Sequence, residues 1–182
     1  MKIYTRTGDK GQTGLLGGSR IAKSSHRIQA IGDVDELNAW LGYIRSNKIQ
    51  SKIEAMLHKI QQDLFCLGAQ LANPATVSKS SSKDPLITDN DIMRLEQWID
   101  ELESELPTLQ HFILPGGEKV GSKLHICRAV CRRAERTVTA LLEQENIAST
   151  ILIFLNRLSD LLFVMARWNN LQAKVEEEEW KG

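Results

Sequence analysis

Residues 117–139, GEKVGSKLHICRAVCRRAERTVT, allow little except a helix with two distinct stripes. Leu124, Cys127, Cys131, Ala134 and Val138 recur at steps of three and four, which is an apolar seam. Arg128, Arg132 and Arg136 repeat at steps of four and stack in one row beside that seam. Glu135 lies close enough along the helix to hold the guanidinium of Arg132 or Arg128. Such a row is either a solvated helix face or an anion site, since stacked guanidiniums present fork-shaped donors that suit phosphate.

Similar seams recur elsewhere. Asp33 with Glu36 has capping-box spacing and is read as opening a first helix, with Leu37, Trp40, Leu41 and Ile44 buried and Asp35 in its first turn. A second helix is expected over about 49–72 through Ile53, Leu57, Ile60, Leu64, Leu67 and Leu71. Residues 73–87 form a low-complexity loop. Thr88 caps a third helix carrying Ile92, Leu95, Ile99, Leu102 and Leu106, stopping at Pro107. A fifth runs from about Ser149 to Gln172 through Ile151, Leu155, Leu158, Leu162 and Met165. On it Asn156 and Asp160 share a face, either as ligand-positioning groups or as a polar flank. The tail, VEEEEWKG, is read as a solvated charge run with Trp180 tucked back on the bundle. Five seams with no convincing strand give an all-α up-and-down bundle in one domain: a loop over 1–32, helices over 33–173 and a tail over 174–182. Such regular seams also suit subunit contacts.

Glycines at 8, 11, 14, 17 and 18 exclude a helix through most of residues 1–32. Ile3, Tyr4, Leu15, Leu16, Ile21 and Ile28 make the segment too apolar for a solvated tail, so it reads as a functional loop. Glycine lets successive backbone N–H groups turn toward one anion, and the threonine hydroxyls add donors. The pattern is neither a Walker A loop nor a Rossmann fingerprint. Net charge is zero, with 23 basic and 23 acidic residues, so no global field points to nucleic acid or membrane. Residues 1–33 nevertheless carry a basic surplus of four and residues 119–136 one of five. Two basic segments in a neutral chain fit one compact anionic ligand gripped from two sides.

Cys66, Cys127 and Cys131 lie in helical patterns, which suits a reducing compartment and buried thiols rather than disulfides. His26, His58, His111 and His125 are scattered and no metal-ligand motif occurs, so no metal held by protein ligands alone is expected. No apolar leader or membrane span is read, because the longest apolar run is Leu161 to Ala166.

Together the motifs resemble the PduO-type ATP:cob(I)alamin adenosyltransferases. They are TRTGDKGQTG, Lys23, VDELN at 34–38, FILPGG at 112–117, RAVCRRAER at 128–136 and LNRLSD at 155–160, in order over nearly the whole chain. The resemblance implies a homotrimer with active sites between subunits and transfer of the 5′-deoxyadenosyl group of ATP to cobalt. Thr5, Arg6, Thr7, Gly8, Asp9, Lys10, Gly11, Thr13 and Gly14, with Lys23, would wrap the phosphates. Arg132, Arg133, Glu135, Arg136 and Asn156 would hold the rest of the nucleotide, with Arg132 also counted among the catalytic groups. Arg128 would pair with Asp35 across the interface beside the corrin, and Phe112 would fill the lower face of the cobalamin. Mg2+ would ride on the phosphates, with K+ a further ion of the family. A flavoprotein reductase and a B12-dependent enzyme are the partners such an activity implies, in the cytoplasm. Ser24, Ser25, Ile31 and Asp33 depart from the family's usual residues. Two rival readings are a phosphoryl-transferring ATP enzyme and a non-catalytic ATP or corrinoid sensor.

Overall fold

Every one of the five seam positions read from residues 117–139 is fully buried, and the helix they define is the centre of the fold. The computed structural model describes residues 2–73 and 86–181. Within these, α1 is His26–Arg45, α2 Ser51–Ala72, α3 Asp89–Glu103, α4 Lys119–Leu142 and α5 Ser149–Gln172. α4 packs on α5 and α1, α1 on α2, and α3 on α5, which makes the expected five-helix bundle. Leu37, Leu41, Ile53, Leu57, Ile60, Leu67, Leu95, Leu102, Phe154, Leu155 and Leu158 are all fully buried in one core. Each such side chain contributes about 1.5–3 kcal/mol by leaving water.

Buried charges tie the helix ends together. Arg27 is 3% exposed; its Nε and Nη2 donate to Glu145 at 3.1 and 2.5 Å, and its Nη1 donates to the Leu71 carbonyl. One guanidinium thus joins the start of α1, the end of α2 and the turn between α4 and α5. Asp63, also buried, receives Lys59 from its own helix and Arg94 of α3 at 2.6 Å.

Several expectations are corrected. α1 opens at His26, with Ser25 as the cap whose Oγ accepts from Ile28 N–H, so Asp33 lies well inside the helix. Gly32 costs the helix about 1 kcal/mol, which burial of Ala30, Val34 and Leu37 outweighs. Asp35 is therefore mid-helix rather than in a first turn. Two short strands exist, β1 (Gln12–Gly14) and β2 (Arg20–Ala22), paired antiparallel with Thr13 opposite Ile21. Gly17 and Gly18, at φ 96° and 89°, turn the chain between them. α3 has the Thr88 cap, completed by Asp91, but ends at Glu103, short of Pro107. The expected loop 73–87 lies mostly outside the described residues. Trp180 is 57% exposed, and the tail pairs its backbone with residues 112–114 instead of burying the indole. α5 is long and apolar enough to cross a membrane by length and composition, yet most of it is buried as the bundle's core helix.

At Gly121 of α4 an added Cβ would collide with the Asn170 carboxamide and come within 3.2 Å of the Ala166 carbonyl. Asn170 is 2% exposed and pinned, accepting from Glu118 N–H at 3.0 Å and donating to the Gly116 carbonyl at 3.1 Å. Gly121→Ala gains about 1 kcal/mol of helix propensity. Overpacking of about 1–3 kcal/mol and disturbed hydrogen bonds oppose it, so the clash wins. We expect thermal denaturation to show a midpoint lower by roughly 4 °C; an unchanged or higher midpoint contradicts this packing.

Candidate active site

Because the seam of α4 faces inward, its arginine row is displayed along the edge that meets α5. Arg132 and Arg136 are exposed and Arg128 is half-buried. The Arg128 Nε is buried without a partner, and the guanidinium carbon lies 6.0 Å from the Phe163 ring centroid. Burial, then the charge of Arg132, press the Arg128 pKa below its ordinary value. One turn earlier His125 packs edge-on against Phe163, ring centroids 5.9 Å apart, with both ring nitrogens buried and unpartnered. Burial first and Arg128 second lower its pKa to about 4, so this imidazole is neutral at pH 7. A cleft of about 380 Å³ opens beside these groups, bounded also by Arg132, Arg157, Asp160 and Ile99. Three arginines and two acids, Glu103 and Asp160, line this cleft. Arg157 is paired with Glu96 and Asp160, while the Arg128 Nε–H is left as a buried donor that an acceptor entering the cleft could take up.

Glu135 accepts from Asn156 Nδ2 at 3.0 Å, which fixes the α4 and α5 members of the expected nucleotide set relative to each other. Arg133 points elsewhere: it pairs with Asp33 at 3.3 Å and with Glu36, both on α1. Asp33 also accepts from Thr137 Oγ1 at 2.6 Å. Arg133 is thus neutralised against α1, away from the row formed by Arg128, Arg132 and Arg136. Cys127 and Cys131 are buried on the seam, and burial pushes the Cys127 thiol up to about 12 and that of Cys131 higher still. Neither is a reactive thiolate at neutral pH.

The glycine segment is a shaped hairpin. Gly11 N–H donates to the Gly8 carbonyl at 3.2 Å, Lys23 N–H to the Gly11 carbonyl at 2.9 Å, and the Thr5 and Thr7 hydroxyls meet at 2.8 Å. Arg6 and Gly11 adopt φ of 60° and 77°. The Lys23 ammonium folds over Gly8, where an added Cβ would lie 3.1 Å from Nζ. Arg20, which sequence reading counted only within the basic surplus, donates to the Thr7 and Gln12 carbonyls at 2.6 and 3.3 Å and braces the loop. Leu16 N–H bonds the Ala72 carbonyl and His26 bonds Gln144. These contacts set the hairpin at the end of the bundle where α2 stops and α4 turns into α5. Among the described residues, no hydrogen bond or ion pair joins Thr5–Gly14 to the arginine row, and none involves the Asp35 side chain. Phe112, on the connector before α4, is 78% exposed.

The glycine hairpin and the arginine row of this helical bundle match neither the Rossmann fingerprint nor a P-loop. Comparison with known proteins narrows the class. Residues 3–169 match the family model described as Cobalamin adenosyltransferase. A cobalamin adenosyltransferase of Cupriavidus metallidurans is 46% identical over 167 residues, covering 91% of this chain and 86% of the relative. A corrinoid adenosyltransferase of Bacillus subtilis is 43% identical, covering 100% and 93%. A variant PduO-type ATP:corrinoid adenosyltransferase from Lactobacillus reuteri, complexed with cobalamin and ATP, superposes with a TM-score of 0.92 at 38% identity, covering 100% of this chain and 97% of that one. The chain belongs to the cobalamin adenosyltransferase family.

The buried His125 has a pH signature. Unfolded, an imidazole titrates near 6.5, and here it titrates near 4. The unfolded chain holds the extra proton between those values, so stability is intact above 6.5 and falls as pH drops toward 4. Between pH 7.5 and pH 5 this amounts to about 2 kcal/mol. Denaturant unfolding of wild type and His125→Leu at the two pH values is expected to show that part of the acid sensitivity gone in the variant. Equal sensitivity in both contradicts a neutral buried imidazole.

Proposed function

We propose that this chain transfers the 5′-deoxyadenosyl group of ATP to the cobalt of cob(I)alamin, forming adenosylcobalamin and releasing triphosphate. The observation that carries the reading is the Arg128–Arg132–Arg136 row with its orphaned Nε, set at the rim of a bundle whose relatives are complexed with ATP and cobalamin. The Co(I) electron pair attacks C5′, the C5′–O bond breaks, and its electrons leave on the triphosphate. Cobalt is the nucleophile, so the protein need supply no Ser, Cys or His for attack. Its task is to align C5′ with the metal and to neutralise the leaving polyphosphate.

The hairpin from Thr5 to Gly14 supplies backbone N–H groups, Arg6, Lys10 and the threonine hydroxyls to the phosphates, with Lys23 folded over the same loop. Mg2+ accompanies the phosphates. Arg132 and Arg136 reach the phosphates from the opposite side and, with Glu135 and Asn156, already locked together, hold the remainder of the nucleotide. Arg133, engaged by α1, acts by fixing α4 against α1 and not as a ligand. Arg128 and Asp35 each lack an ion-pair partner among the described residues, which supports a homotrimer in which Arg128 meets the partner subunit's Asp35 beside the corrin. Phe112 offers an exposed apolar face to the lower side of the cobalt, and a cobalt without an axial nitrogen is easier to reduce. A flavoprotein reductase, an acceptor B12 enzyme and a cytoplasmic setting complete the reading.

The test is incubation with ATP, Mg2+ and chemically reduced cobalamin. A light-sensitive adenosylcobalamin spectrum with stoichiometric triphosphate is expected; ADP as product, or nucleotide binding with no cobalt–carbon bond, contradicts the proposal. Arg132→Lys keeps the charge but loses the fork, and we expect kcat/KM to fall by more than about tenfold. Near-wild-type turnover would remove Arg132 from the nucleotide clamp. Phe112→Ala is expected to weaken on-enzyme cobalt reduction while leaving ATP affinity within about twofold. A Co(II) spectrum identical to wild type would exclude Phe112 from that role.

A further inference from the structure

Phe112 sits on the connector between α3 and α4, which has no regular structure of its own. Its side chain is 78% exposed, so side-chain packing does little to fix where the ring points. The direction must come from the backbone, and the backbone is held by the end of the chain. After α5, Lys174 adopts φ 56° and Val175 N–H returns to the Asn170 carbonyl at 3.0 Å, which reverses the chain onto the connector. There Leu114 N–H donates to the Glu178 carbonyl at 2.8 Å and Trp180 N–H to the Phe112 carbonyl at 2.7 Å, flanking an antiparallel bridge between Ile113 and Glu179. Extended pairing alternates side chains, so half-buried Ile113 faces inward and Phe112 is thrown outward.

Behind this strap lies Arg167, 5% exposed on α5. Its Nε donates to Glu177 at 2.9 Å and its Nη2 to the Pro107 carbonyl at 3.0 Å. One buried guanidinium thus anchors both the start of the connector and the start of the strap.

We propose that residues 177–180 are a positioning element for Phe112: the Trp180 N–H and the Arg167–Glu177 anchor hold the connector backbone so that the ring meets the corrin face. This rests on the assignment of Phe112 made above. The strap removes in advance the conformational freedom that an irregular segment would otherwise lose on binding. Glu177 and Arg167 touch no substrate and act only through Phe112.

Proline at 180 deletes the donor and suits an extended position. Trp180→Ala keeps the N–H and is the reference against which proline is read. In the full chain, Trp180→Pro is expected to lower kcat/KM for cobalamin about tenfold relative to Trp180→Ala, with KM for ATP within about twofold. The enzyme-induced change in the Co(II) spectrum should shrink in parallel. Glu177→Gln, which leaves the backbone donor in place, is expected to give the same pattern at about threefold. In a Phe112→Ala background neither change should cost anything further, because the strap would have nothing left to place. Trp180→Pro matching Trp180→Ala, or losses that multiply in the Phe112→Ala background, overturn the strap alone. Phe112→Ala with unchanged cobalamin turnover overturns both the strap and the reading beneath it.

Discussion

Packing of α4 between α1 and α5 sets the direction of the arginine row. Leu124, Cys127, Cys131, Ala134 and Val138 are fully buried. A helix with that seam fixed has no rotational freedom left, so the row of Arg128, Arg132 and Arg136 can face only the α5 edge. Rotation by one residue would expose the seam and bury the guanidiniums unpaired, at a cost of several kcal/mol for each ion. The packing that stabilises the fold therefore also aims the cationic row.

The same economy runs through the periphery. Arg27 joins three helix ends and so fixes the point from which the hairpin departs. Arg20 holds two carbonyls of that hairpin. Arg133 binds α4 to α1 through Asp33 and Glu36. Arg27, Arg20 and Arg133 are satisfied by acids and carbonyls of the same chain, whereas Arg128 has a buried Nε with no partner and no ion pair among the described residues, beside a neutral His125. That contrast marks Arg128 as a guanidinium that the scaffold of its own chain does not consume.

The helices and most of the core were legible in the sequence, since period-3.6 seams are long-range signals repeated over several turns. What failed were features decided by contacts distant along the chain. Asp33 reads as a cap by spacing to Glu36, but its carboxylate is taken up by Thr137 and Arg133, about a hundred residues on. The true cap, Ser25, is followed by a helix that runs on through Gly32, whose propensity cost concealed seven residues of α1, 26–32. Three-residue strands carry too few alternations to be seen. Arg133 looked like one more basic residue beside the row because spacing along one helix does not reveal which neighbour claims a side chain. The sequence linked the hairpin to the row through their two basic surpluses and through the family resemblance, and not through any local spacing.

The central claim is that the glycine hairpin and the arginine row grip one polyphosphate. A crystal structure of this chain with ATP and Mg2+ tests it most directly. The account predicts the triphosphate lying between backbone N–H groups of residues 5–14 and the guanidiniums of Arg132 and Arg136, with C5′ left open toward Phe112. Triphosphate bound to one of the two segments alone, with the other facing solvent, would contradict it.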